Sequence, residues 1–141
     1  MKNMAKVVKF DAKEVFGKDF VIIDTLNNVK TVNKAMRNLL NKIDDYETKQ
    51  QKADKPVTVM DYQDIISTCV IDGVAQLLSL SKADEKKLYD ISYSTVFNFY
   101  SEAVDKFLGM KVPDPTMVQG ELQKANEEAE EKKDPKDSEK N

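Results

Sequence analysis

Asp61-Tyr-Gln-Asp-Ile-Ile-Ser-Thr-Cys-Val-Ile-Asp-Gly-Val-Ala-Gln-Leu-Leu-Ser-Leu80 is the stretch on which the fold turns. Tyr62, Ile65, Ile66, Cys69, Val70, Gly73, Val74, Leu77 and Leu78 recur at steps of three and four, which is one face of an α-helix. Ile71 and Leu80 are apolar too, so this helix is expected to be the central and most buried one. Asp61 suits the N-cap, and Asp64 in the first turn suits the helix dipole. Gly73 lies on the apolar face, where a missing side chain predicts close approach of another helix.

Downstream, Ser81 reads as an N-cap with Asp84-Glu85 behind it, which predicts a short helix over Lys82–Tyr89. Ser92 or Ser94 then caps a last long helix. Its stripe is Tyr93, Val96, Phe97, Tyr100, Val104, Phe107 and Leu108, and Gly109 stands where a left-handed C-terminal glycine belongs. Upstream, Val32, Ala35, Met36, Leu39, Leu40, Ile43 and Tyr46 mark a helix from Thr31 to about Gln51. Pro56 bars its continuation, and Asn27-Asn28 reads as a turn. Val7, Val8 and Phe10, and the run Phe20-Val-Ile-Ile23, are short β-branched segments spaced to pair as a hairpin. Between them Asp11 and Glu14 form a capping-box pattern and Gly17 a stop, predicting one helical turn over Ala12–Phe16.

The fold class expected is therefore mainly α: a small helical domain with a short N-terminal β-hairpin and a disordered acidic C-terminal tail. Residues 1–29 form an extended or β segment packing on the helices, 30–112 the helical core and 113–141 the charged tail. Pro113 and Pro115 mark the boundary. From Gln119 to Asn141 there are eight acidic residues against five lysines, and Leu122 is the only large apolar side chain. Such a segment buries too little to offset its ordering entropy.

Composition narrows the chemistry. The 141 residues contain no histidine and one cysteine, so Cys-His and Ser-His-Asp nucleophiles and histidine metal sites are excluded. Cys69 lies on the apolar stripe and reads as core filler. The paired carboxylates Asp44-Asp45, Asp84-Glu85, Glu127-Glu128 and Glu130-Glu131 fall on solvent faces, a helix start or the tail, not in a cleft that could drive their pKa values apart. No P-loop, EF-hand or dinucleotide spacing occurs. No enzyme activity and no cofactor are expected. Of 22 basic residues only Arg37 is arginine, and the net charge is −3. Lys49, Lys52 and Lys55 make a weak basic stretch, so nucleic-acid binding is not expected. No apolar run approaches the roughly 20 residues of a membrane span, and the N-terminus carries no signal-peptide pattern, which points to the cytoplasm.

Tyr89, Tyr93, Phe97, Phe99, Tyr100 and Phe107 fall within nineteen residues. That is more aromatic surface than one small core needs. Tyr89 and Phe99 are expected to stand outside the core, and Tyr89, Tyr93 and Phe99 are the candidate partner-binding residues.

The succession Asp61-Tyr-Gln-Asp-Ile-Ile, Ile71-Asp-Gly-Val-Ala, a Ser-capped short helix, Leu88-Tyr-Asp-Ile-Ser-Tyr-Ser-Thr-Val-Phe-Asn-Phe-Tyr and Phe107-Leu-Gly resembles the tail assembly chaperones of long-tailed phages of Gram-positive hosts. The resemblance covers about residues 30–110 in layout and contains no single diagnostic motif. It implies a protein that binds the tape measure protein, keeps its helices soluble, helps recruit tail tube subunits and is absent from the mature virion. It also implies a longer product, made by translational frameshift, that diverges in the tail. Self-association stays open. The alternatives are a structural virion protein, such as a head–tail connector or tail completion factor, and a bacterial protein-interaction module.

Overall fold

The structure is a computed structural model that describes residues 5–116 and 118. Most of the predicted charged tail, from 119 to 141, lies outside the described residues. The elements run β1 Val7–Phe10, α1 Lys13–Phe16, β2 Phe20–Ile23, α2 Leu26–Lys52, α3 Val59–Leu77, α4 Lys82–Lys87, a 3₁₀ turn Leu88–Asp90, and α5 Tyr93–Leu108. The fold is mainly helical, with a two-stranded antiparallel sheet at the N-terminus, as the periodicities predict.

Helices α2 and α3 lie antiparallel, joined by a short polar loop. At one end the rings of Tyr46 and Tyr62 meet edge-on at 5.3 Å. The Tyr62 hydroxyl donates to Glu47 Oε2 at 2.7 Å, and the Tyr46 hydroxyl donates to Asp61 Oδ2 at 2.7 Å while accepting from Thr58 N at 3.0 Å. Further along the pair, Ala35 faces Gly73. A Cβ on Gly73 would stand 2.8 Å from Tyr100 Cε1 and 3.2 Å from Ala35 Cβ. The expected close approach is thus real, and it involves three helices: α5 lays Tyr100 into the space that Gly73 leaves.

Several boundaries differ from the sequence reading. Helix α3 starts at Val59 because Thr58 is its N-cap, its hydroxyl accepting from Asp61 N at 3.1 Å. Asp61 sits one turn in and serves Tyr46 instead. Helix α2 starts at Leu26, since Thr25 Oγ1 accepts from Asn28 N at 3.1 Å; Asn27-Asn28 is its first turn, not a loop. Asp11 does not cap α1, which has Ala12 at that position with no side-chain bond. Asp19 does part of that work by accepting from Ala12 N at 3.1 Å. The predicted helix Lys82–Tyr89 closes at Lys87 and tightens into the 3₁₀ turn. Ser92, not Ser94, occupies the N-cap of α5, without a hydroxyl cap bond.

Helices α2 and α3 end without glycine. Asp54 (φ 56°) and Ser79 (φ 55°) take the left-handed conformation. In each case the next amide reaches back to the last turn, Lys55 N to Gln50 O at 2.8 Å and Leu80 N to Ala75 O at 2.9 Å. This is the Schellman closure that usually employs glycine. Left-handed backbone costs an L-residue roughly 1–2 kcal/mol. Ser79→Gly should therefore raise stability by up to about 1 kcal/mol in urea unfolding, and Asp54→Gly by less, because Asp tolerates this region better.

One core joins all the elements. Val8 and Phe10 of β1, Val32, Met36 and Leu39 of α2, Ile66, Val70 and Val74 of α3, Leu88, and Val96, Tyr100 and Val104 of α5 are all but fully buried. Val112 is buried as well and Val118 packs against the cluster, so the packed chain runs past α5. Leu40, assigned to the apolar stripe of α2, is 42% exposed. It sits at the margin of the buried stripe.

The Tyr100 hydroxyl is buried and has no hydrogen-bond partner among the described residues. An orphaned buried hydroxyl costs about 1–3 kcal/mol. Tyr100→Phe keeps the ring over Gly73, so it should raise the thermal transition; an unchanged or lower transition would mean that the hydroxyl is satisfied in solution.

Candidate functional site

Of the three candidate partner-binding residues, the structure brings two together and removes the third. Phe99 is 3% exposed and stacks on Phe10 with ring centroids 4.9 Å apart. The sequence reading placed it off the stripe because it considered only helix neighbours. Strand β1 packs on the flank of α5, and this widens the buried arc of α5 from Val96 and Tyr100 to Phe99 and Ala103. Tyr89, by contrast, is 63% exposed as expected, and Tyr93 is half-buried beside it.

Tyr89 and Tyr93 line a groove of about 380 Å³ along α3. One wall is a face of α3: Gln63, Ser67 and Ile71 at successive steps of four, with Asp64 and Thr68 beside them. The other wall is Leu88, Tyr89, Ile91 and Tyr93. Local sequence explains the second wall. The α4 helix is short, capped by Ser81, whose hydroxyl accepts from Asp84 N at 3.1 Å. Past Lys87 the chain winds at three residues per turn, so buried Leu88 anchors the turn and Tyr89 swings outward. Ile91 is extended (φ −94°, ψ 149°), which separates the turn from α5 and opens the groove.

The chemistry of the groove is simple. Ile71 and Leu88 form its buried floor, and Ile91 and the two tyrosine rings are its accessible apolar surface. Ser67 turns its hydroxyl to its own helix, donating to Asp64 O at 3.2 Å. Asp64 is the only charged side chain in the lining, and no lysine or arginine among the described residues lies within ion-pair distance of it. Burial pushes the Tyr93 phenol up to about 12. The groove thus sets two aromatic rings and an isoleucine beside one carboxylate and otherwise neutral polar side chains.

Burial also pushes up the phenols of Tyr62 and Tyr100, with Glu47 adding to the effect at Tyr62. Their ordinary value is 10.0. Above pH 10 the unfolded chain releases these protons while the native chain holds them. The unfolded state then binds fewer protons and stability falls as pH rises. The melting temperature should accordingly drop above about pH 10, and more gently in Tyr62→Phe. A flat profile from pH 10 to 11.5 would contradict the burial of these rings.

A second exposed apolar surface lies on the hairpin, and its sequence does not single it out. Val7, Val21 and Ile23 share the outer face of the sheet, Val7 opposite Ile23, and Val21 is 62% exposed. Asp24 N donates to Lys6 O at 3.1 Å. Bonded pairs therefore alternate at Val8/Ile22 and Phe10/Phe20, and the peptide groups of Val21 point away from β1. On the far edge of β1, Lys106 Nζ donates to Val7 O at 2.8 Å.

Cys69 is buried and free, and desolvation pushes its thiol up, in keeping with core filler. Asp44 and Asp45 are exposed; Asp84 and Glu85 start α4, where Asp84 pairs with Lys87 at 3.1 Å. Glu127-Glu128 and Glu130-Glu131 lie outside the described residues. Lys49, Lys52 and Lys55 are exposed around the end of α2. Among the described residues no helix is long and apolar enough to cross a membrane, and no group of three or more His, Cys, Asp or Glu side chains could hold a metal ion. No family model, curated protein or solved structure matches the chain.

Proposed function

We propose that this protein is a non-enzymatic tail assembly chaperone of a long-tailed phage of a Gram-positive host. It binds the tape measure protein, covers its apolar helices during tail morphogenesis and helps recruit tail tube subunits. It acts in the host cytoplasm and is left out of the finished particle. The observation that carries this reading is the groove under Tyr89 and Tyr93, a preformed apolar surface beside α3 suited to helix-in-groove recognition. The layout of residues 30–110 supports it, as does the sheet face at Val7, Val21 and Ile23. That face shares no residue with the groove and offers a second contact surface to a protein with two clients.

Co-expression tests the proposal. The tape measure protein encoded next to this chain should be soluble with it and aggregate without it, and purified virions should lack this chain. Its recovery in virions at fixed stoichiometry would make it a structural component instead. Tape measure protein that is equally soluble alone would end the chaperone reading.

A further inference from the structure

The groove's walls and charge specify what it can hold. An extended peptide carries unpaired N–H and C=O groups and is bound by main-chain pairing at a free strand edge. This groove has none among the described residues: one wall is the side-chain surface of α3, and the other is the 3₁₀ turn with Ile91 and the start of α5. A helix arrives with its own backbone bonds made and needs only apolar contact. The α3 wall from Gln63 to Ile71 covers nine residues, about 12 Å at 1.5 Å per step, or roughly two turns of a guest helix. Asp64 adds a single negative charge with no lysine or arginine among the described residues within ion-pair distance, in a lining otherwise neutral.

We infer that the groove takes about two turns of an amphipathic helix whose apolar ridge seats on Ile91 and the rings of Tyr89 and Tyr93, above the buried floor of Ile71 and Leu88, with a lysine or arginine next to that ridge facing Asp64. The inference rests on the protein-binding reading above and specifies its ligand. Charge also discriminates among occupants. The chain's own 119–141 segment has eight acidic residues to five lysines and one large apolar side chain, so it offers neither the ridge nor the right sign.

The protein contains no tryptophan, which makes a tryptophan-bearing peptide a clean probe. Two synthetic helical peptides of about 15 residues would carry the same leucine ridge and one ridge tryptophan, with either lysine or glutamate flanking the ridge. With the full chain, the lysine peptide should show blue-shifted emission and move the amide resonances of Ser67, Ile71 and Tyr89. The glutamate peptide should bind several-fold more weakly. Asp64→Lys should weaken the lysine peptide about fivefold and strengthen the glutamate peptide by a similar factor, as expected for one exposed charge pair. Tyr89→Ala should weaken both about tenfold. Both positions are exposed, so an unshifted thermal transition will show that the variants fold.

Equal affinity for the two peptides, indifference to Asp64→Lys, or resonance shifts at Val21 and Ile23 in place of the groove would overturn the inference. So would a dimer of the chain alone, seen in sedimentation, that Tyr89→Ala dissociates, because the groove would then belong to a second copy. The peptides need no phage protein. Failure here is therefore separable from failure of the co-expression experiment.

Discussion

Phe99→Ala should lower the unfolding free energy by about 3–5 kcal/mol, the range for a buried phenylalanine truncated in a core. The ring is nearly sealed from solvent and stacks on Phe10 at 4.9 Å. That contact also couples the sheet to α5, and such an aromatic pair adds about 0.5–1.5 kcal/mol beyond area burial. Two measurements check the outcome. Urea unfolding should show the loss in midpoint at an unchanged slope. Hydrogen exchange should show the Val8 and Ile22 amides, which lie in bonded pairs of the sheet, opening more readily than the amides of α3. A change below about 1 kcal/mol would mean that Phe99 is not core and that the flank of α5 is a surface after all.

Gly73→Val is the second large effect, at about 3 kcal/mol or more, from overpacking where three helices converge. The first added carbon would already lie 2.8 Å from Tyr100 Cε1 and 3.2 Å from Ala35 Cβ. Neither neighbour can retreat: Tyr100 is a buried ring and Ala35 sits on the facing helix. Gly73→Ala should be milder, since alanine recovers up to about 1 kcal/mol of helix propensity relative to glycine. The ordering Gly, Ala, Val in falling melting temperature is the result to look for. A Gly73→Ala variant more stable than the parent would show that α2, α3 and α5 do not approach this closely.

These two positions mark the reach of the sequence. Gly73 was legible because a glycine on an otherwise complete apolar stripe has few other uses in a helix. Phe99 was not, because helical spacing describes which residues share a face, not how wide a face the rest of the chain will cover. Of the predicted stripe of α5, Val96, Tyr100 and Val104 are buried. The remaining burial comes from β1, at a sequence separation of about 90 residues. The same limit explains the sheet. All four residues of Phe20–Ile23 are apolar, yet only the face bearing Phe20 and Ile22 meets the core, and Val21 and Ile23 face outward.

Helix ends show a local version of this limit. Gly17 and Gly109 were readable as stops, and both adopt left-handed backbone (φ 74° and 66°). Asp54 and Ser79 do the same work without the usual residue, so their motifs had no signature. At the starts, Asp61 competed with Thr58 and Asp11 with Asp19. Each is a choice among nearby oxygens that only the approach of the chain settles.

The sequence by itself determined the helical class, the order of elements, the central place of α3 and the space at Gly73, because period, caps and prolines act over a few residues. It set Tyr89 and Phe99 apart alike as aromatic side chains outside the core, which holds for Tyr89 alone. Only the tertiary structure decided that Phe99 is core and that Tyr89 and Tyr93 share a groove with Asp64. Burial at those positions depends on what a distant segment covers, and a groove exists only once α3 and the turn after α4 have been packed side by side.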